Sequence, residues 1–209
     1  PLARIDAGDK PDLVLFDLDS EPPADIEDAT HVALLLKEKL DLLGLESFVK
    51  TSGKKGLHVI IPIVPLYTFR QTRAFVHQMG KLLAGESDLV VSEFSQTKLR
   101  GKVFVDYTQN THFKTMICPY GLRADQNATV STPLEWHELE KGVHPESFNI
   151  FSVMKRESHP WKDLFQHRQT LDFEYTLQKK AQATYQQEKQ NMKNALQEYI
   201  KKRDLTKTG

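Results

Sequence analysis

The run Leu13-Val14-Leu15-Phe16-Asp17-Leu18-Asp19 constrains this chain more than any other stretch. It reads as a short buried strand that delivers two carboxylates at its end. In an extended strand residues i and i+2 share a face, so Asp17 and Asp19 project together while Leu18 packs behind them. Like charges that close raise each other's pKa unless a hard divalent cation with oxygen ligands lies between them. The same residues also fit a turn before a helix, since Asp is frequent there and Pro22-Pro23 follow at once. A third acid, Asp106, ends a second apolar run, Lys102-Val103-Phe104-Val105-Asp106-Tyr107. Three strand-end acids favour a metal site over a turn.

A chain of 209 residues is long enough for one domain with a proper core, plus an appendage. No apolar run approaches the roughly 20 residues that span a bilayer, and the N-terminus has no basic-then-apolar signal pattern. A cytoplasmic, nucleoid-associated protein without a membrane partner is expected. Cys118 is the only cysteine, which excludes an internal disulfide and a thiolate zinc cluster; its thiol is expected to be buried and inert. A formal charge of zero hides an asymmetry. Residues 1–49 carry 4 basic and 12 acidic side chains, a net of −8, and residues 50–123 carry 11 and 4, a net of +7. An acid cluster beside a basic strip is what a polyphosphate or nucleic-acid site requires, although charges of this kind are also found scattered over solvated surfaces.

Asp25 is placed to cap a helix running to about Leu43, with Ile26, Ala29, Val32, Ala33, Leu36, Leu40 and Leu43 as its apolar face and Gly44 just past its end. His31 on that helix reads as a surface residue. Ser47–Thr51 and Val59–Ile63 then read as two strands of a hairpin. Their link, Ser52-Gly53-Lys54-Lys55-Gly56-Leu57-His58, combines glycines that admit an anion to the backbone with a hydroxyl and two ammonium groups. It fits a phosphate cradle, but on these residues alone an ordinary solvated hairpin tip is the favoured reading. A helix is expected from Phe69 to Leu83, a weak strand over Leu89–Val91, a basic connector Lys98-Leu99-Arg100-Gly101-Lys102, and a strand over Thr115–Ile117. Pro133–Trp136 should begin a short helix, and Phe148–Ile150 with Val153 another. From about Asp172 to Arg203 the Gln, Lys, Glu and Ala content favours one long helix with a thin apolar stripe. The domain division expected is a core over 1–169 and a helical tail over 170–209.

Taken together, Phe16–Asp19, Lys50–His58, Gly101–Tyr107 and Cys118–Arg123 resemble the polymerase domain of bacterial DNA ligase D, in the archaeo-eukaryotic primase superfamily, over roughly residues 11–165. The resemblance implies an α+β fold with a mixed or antiparallel sheet flanked by helices. It implies that Asp17, Asp19 and Asp106 hold two divalent ions, Mn2+ or Mg2+, and that Ser52, Lys55, His58, Lys102, Gln109 and Arg123 hold a nucleoside triphosphate. Lys54, Lys98 and Arg100 would meet DNA. The implied activity is metal-dependent nucleotidyl transfer to DNA 3′ ends in non-homologous end joining. The implied partners are primer-template ends with a 5′-phosphate, the Ku end-binding protein and a ligase domain or chain. Family members carry a further segment upstream of the D-x-D strand, with a histidine, stacking phenylalanines and lysines that grip a 5′-phosphate. The chain thus reads as N-terminally shortened, and weak or absent nucleotide addition is expected from it alone. No K-x-D-G ligase motif is found. A haloacid-dehalogenase-like phosphatase, with Asp17 as nucleophile and Asp19 as acid, and a DNA-end-binding module without catalysis are the alternatives.

Overall fold

Six strands form one sheet around β1 (Leu13–Ser20): β2 (Phe48–Thr51), β3 (Leu57–Pro62), β4 (Val90–Val91), β5 (Val103–Asp106) and β6 (Pro133–Leu134). Across the sheet they run β4-β5-β1-β3-β2-β6. The β4–β5 pair is parallel and every other pair antiparallel, which is the mixed sheet expected. This computed structural model describes residues 2–4, 8–124 and 126–171, with 193, 194 and 198. The chain divides into two units, 1–171 and 172–209; the long C-terminal helix expected there lies outside the described residues apart from those last three.

The two faces of β1 do different work. Val14, Phe16 and Leu18 face the helices, and all three are fully buried. Phe16 meets Phe75 of α2 (Phe69–Glu86) edge-on, with ring centroids 6.1 Å apart. The apolar face of α1 (Ile26–Leu42), Ala29, Val32, Ala33, Leu36 and Leu40, is buried too. Asp25 caps α1 by accepting from the backbone N–H groups of Glu27 and Asp28, as its sequence position suggests. On the other face Leu13 and Leu15 join Leu2, Ile60 and Leu164 in a second cluster, against which Phe48, Phe69, Met116 and Trp161 pack. Continuing the two-residue period, Asp17 and Asp19 follow on that second face, so one row of side chains passes from oil to acid within a single strand.

β5 ends opposite Asp17, which would leave the backbone groups of Leu15 without a strand partner. Asn110 takes that place: its Oδ1 accepts from the Leu15 N–H at 3.0 Å and its Nδ2 donates to the Leu15 carbonyl at 2.6 Å. The side chain is fully buried, and the bonded pair satisfies two groups that would otherwise be costly to bury.

Several local expectations need correction. Thr115–Ile117 is not a strand; Met116 packs onto the second cluster, so the segment lies over the face of the sheet, where no strand edge offers ladder partners. Pro133-Leu134 is an edge strand on β2, and the helix α4 (Trp136–Glu140) starts only after Glu135, whose backbone N–H donates to Glu138. Proline is tolerated on such an edge because its missing N–H faces no neighbour. β3 begins at Leu57 and so takes His58 into the ladder. A four-residue helix, α3 (Gln96–Leu99), occupies the first part of the basic connector. Cys118 is exposed rather than buried, because it belongs to the irregular stretch after Asn110 and not to a strand.

Candidate active site

Register puts four ionisable side chains in one row across four strands. Asp106 on β5 faces Asp17 on β1, Asp17 faces His58 on β3, and His58 faces Lys50 on β2. One step along, Asp19 faces Phe104. Negative charge therefore collects on the β5–β1 side and positive charge on the β3–β2 side, within one sheet face.

A cavity of about 260 Å³ opens over this row, lined by Asp17, Asp19, Ser52, Lys54, Lys55, His58, Gln109, Thr115, Met116, Ile117 and Arg123. The hairpin link wraps its rim. Ser52 Oγ accepts from the N–H groups of Lys54 and Gly56 at 3.3 and 3.2 Å, which folds the loop back on itself. Gly53 has φ +74°, and a Cβ there would stand 2.8 Å from Arg123 Cγ. Its absence lets the arginine lie across the loop, where Nε donates to the Ser52 carbonyl at 2.8 Å. Gly56 has a different reason: a Cβ would stand 2.6 Å from the Leu18 carbonyl oxygen, so only glycine lets the loop close onto the end of β1.

The electrostatics follow from crowding. Loss of hydration, then the charges of Asp17 and Asp106, push the Asp19 carboxyl up to about 6, while Lys55 pulls the other way. His58 Nε2 stands 3.3 Å from Asp17 Oδ1. Burial holds the imidazole below its usual range despite that carboxylate, with Lys50 adding to the depression. His58 Nδ1 is buried and has no hydrogen-bond partner among the described residues. Asp106 spends its oxygens locally, Oδ1 accepting from Thr108 N and Oγ1 at 2.8 and 2.6 Å and Oδ2 from Gln109 Nε2 at 3.2 Å. Among the described residues no three His, Cys, Asp or Glu side chains converge on one point as a finished metal cage. The donor set nevertheless suits a hard divalent cation: an Asp19 carboxyl whose proton affinity is raised by burial and by the charges of Asp17 and Asp106 is what such an ion relieves.

Most of the residues singled out in the sequence thus meet at one cavity, Asp106 reaching it through the row and through Gln109. Three stand elsewhere. The Lys102 ammonium donates to the Asp88 carbonyl at 2.5 Å, away from the cavity lining. Lys98 and Arg100 are exposed on α3 and the turn after it.

The model of the LigD primase-polymerase domain matches residues 1–165. The chain belongs to the LigD primase-polymerase family. This family is one of DNA nucleotidyltransferases, and its polymerase domains are metal-dependent. Over 165 residues the chain is 32% identical to the bifunctional non-homologous end joining protein LigD of Bacillus subtilis, covering 77% of this chain and 27% of that one. The multifunctional LigD of Pseudomonas aeruginosa is 31% identical over 172 residues, covering 78% and 20%. Among solved structures, the polymerase domain of Mycobacterium tuberculosis ligase D in complex with DNA superposes with a TM-score of 0.68 at 28% identity, covering 77% of this chain and 57% of that one. The chain therefore spans about a quarter of the length of these curated LigD relatives and somewhat over half of the solved domain. Two features of the site carry no local signal in the sequence: the pocket wall Thr115–Ile117, which resembles a strand locally, and Lys50, whose burial no short pattern reveals.

Proposed function

We propose that the chain is a metal-dependent nucleotidyltransferase of the polymerase-primase type that adds nucleotides to DNA 3′ ends during double-strand-break repair by non-homologous end joining. The observation that carries this reading is the meeting, in one cavity, of Asp17 and Asp19 with Ser52, Lys55, His58 and Arg123. Acids on one side and cations on the other suit a molecule that is itself a chain of anions to be held at one end and attacked at the other.

In this reading Asp17, Asp19 and Asp106 hold two divalent ions, manganese or magnesium. When bound, such ions lower the pKa of the primer 3′-hydroxyl and neutralise charge on the leaving group. The chain's own side chains do the rest. Arg123 and Lys55 supply charge-assisted donors to the β- and γ-phosphates, Ser52 and the loop amides add neutral ones, and His58, with Nε2 on Asp17, donates from Nδ1 to a phosphate oxygen once the imidazole is protonated beside the anion. The 3′-hydroxyl releases its proton to solvent, its oxygen forms a bond to the α-phosphorus as the bond to the bridging oxygen breaks, and pyrophosphate departs. Gln109, bonded to Asp106, orients that carboxylate. Exposed Lys54, Lys98 and Arg100 contact the DNA backbone without reading sequence. We assign no nucleotide contact to Lys102, since it bonds Asp88. DNA ends with a 5′-phosphate, Ku and a ligase domain or chain are the proposed partners, in keeping with the end joining named for the relatives.

The D-x-D strand would also serve a phosphatase. The third acid facing Asp17 and the family membership favour nucleotidyl transfer. The test is incorporation of labelled ATP, and of each other ribo- and deoxyribonucleotide, onto a primer-template in manganese, beside Asp17→Ala. Incorporation, weak as it is for this chain alone, that disappears in the variant is the expected result. No incorporation, together with equal binding of ATP and AMP, would overturn the proposal.

A further inference from the structure

Lys50 is the one charged side chain among the described residues that has no exposed surface at all. Its ammonium donates to Ser131 Oγ at 2.5 Å and, weakly, to the Thr51 carbonyl at 3.4 Å. Among the described residues no carboxylate forms an ion pair with it; Asp17 lies two strands away in the row and favours its charge only at a distance. Burial pulls the amine down to about 7, with Arg123 pulling the same way. A cation kept this dry on two neutral oxygens costs folding free energy, and a methionine of similar length would fill the space without that cost.

What the ammonium holds is the segment that carries Arg123. Ser131 Oγ passes the contact on to the Thr51 carbonyl at 2.7 Å. The Ser131 carbonyl accepts from Tyr120 N at 2.7 Å, its N–H donates to the Gly121 carbonyl at 2.9 Å, and Arg123 N donates to the Thr129 carbonyl at 2.8 Å. Arg123 then closes back on the hairpin loop through Ser52. Thr129 Oγ1 donates to the Gly53 carbonyl at 2.5 Å as a second tie.

We propose that Lys50 is a positioning residue of the nucleotide site: its buried ammonium fixes Ser131, and through it the Arg123 segment, against the phosphate-holding loop, and keeps a positive charge, without an ion-pair partner among the described residues, that an incoming polyphosphate pairs. The inference rests on the nucleotidyl-transfer reading. It names a role for a residue that touches no substrate and lies outside the cavity lining. The charge explains why a lysine stands here in place of an apolar residue: its folding cost is offset only when the anion arrives.

Calorimetric titration of the full chain with ATP and with AMP, both in manganese, together with thermal unfolding, tests this on Lys50→Met and Ser131→Ala. Lys50→Met should bind ATP about tenfold more weakly, AMP within about threefold of wild type, and unfold at the same temperature or higher. Ser131→Ala, which keeps the charge but loses its anchor, should show a smaller loss of the same kind. Equal losses for ATP and AMP, or an unchanged Ser131→Ala, would overturn the proposal. So would a Lys50→Met chain that fails to fold or melts markedly lower, because Lys50 would then be a strut. A wild-type chain that distinguishes neither nucleotide would instead remove the nucleotidyl-transfer reading beneath it.

Discussion

Asp17 and Asp106 are direct cross-strand partners on antiparallel β1 and β5. Like charges in that relationship are destabilising in a sheet unless something pairs them. Asp106→Asn should therefore leave the metal-free chain as stable as wild type or slightly more so, by up to about 1 kcal/mol, while weakening manganese binding sharply. Chemical denaturation in chelator and calorimetric manganese titration give the two readouts. Unchanged metal binding would remove Asp106 from the site.

The raised Asp19 pKa sets a pH dependence whose sign is opposite to that of a salt-bridged acid. With a folded pKa of about 6 against an ordinary 3.8, the folded chain binds more protons than the unfolded one between those values. The Asp19 contribution to stability is thus most favourable below pH 4 and is lost as pH rises through 6. In chelator, Asp19→Asn should flatten this part of the stability profile. In manganese the trend reverses, because protons and metal compete for one carboxylate, and affinity should fall as pH drops below about 6. Denaturation midpoints across pH, with and without metal, check both signs.

Arg123 lies across the hairpin loop with its Nε on the Ser52 carbonyl, and in the proposed reading the two terminal nitrogens of the guanidinium meet phosphate. Arg123→Ala should weaken ATP binding by roughly a hundredfold, in line with about 1.5–3 kcal/mol for a charged hydrogen bond. Arg123→Lys should lose less, since a point charge keeps part of the attraction but not the fork. Equal losses in the two variants would mean that the arginine acts through the loop's shape alone.

Two glycines of that loop should respond differently to alanine. Gly53→Ala meets a side chain, Arg123 Cγ, at 2.8 Å and also carries φ +74°; it should cost about 1–3 kcal/mol and displace the arginine, so that ATP binding suffers with stability. Gly56→Ala meets a backbone oxygen of β1 at 2.6 Å, which cannot step aside, and should destabilise the chain at least as much. Thermal unfolding and ATP titration of both variants separate the two effects.

Asn110→Ala tests the patch at the end of β5. It leaves the Leu15 N–H and carbonyl buried without the partners they have at 3.0 and 2.6 Å, and should cost about 2–6 kcal/mol at roughly 1–3 kcal/mol for each orphaned group. ATP affinity of the folded fraction should hardly change.

Helix α1, with Asp25 ahead of it and Gly44 after it, is legible in the amino-acid sequence because spacing and cap chemistry are both local properties. The hairpin, the strand-end acids and the glycine-lysine link are readable for the same reason. Thr115–Ile117 misleads because a triplet with β-branched residues at both ends and an apolar one between looks the same whether it pairs with a strand or lies over a sheet face. Cys118 misleads likewise: apolar neighbours in sequence do not bury a thiol that the chain turns outward.

The sequence by itself determined which residues could serve as acids, cradle and clamp, because carboxylates at strand ends and glycines beside lysines declare their chemistry within a few positions. Only the tertiary structure decided their alignment. Asp106, Asp17, His58 and Lys50 come from four strands and share a row solely through hydrogen-bond register, and a slip of one residue would send every other side chain to the opposite face. That register also dried Lys50 and tied it to Ser131 81 residues away. Contacts between residues so far apart in the chain are fixed by packing, and packing leaves no mark on any short stretch of sequence.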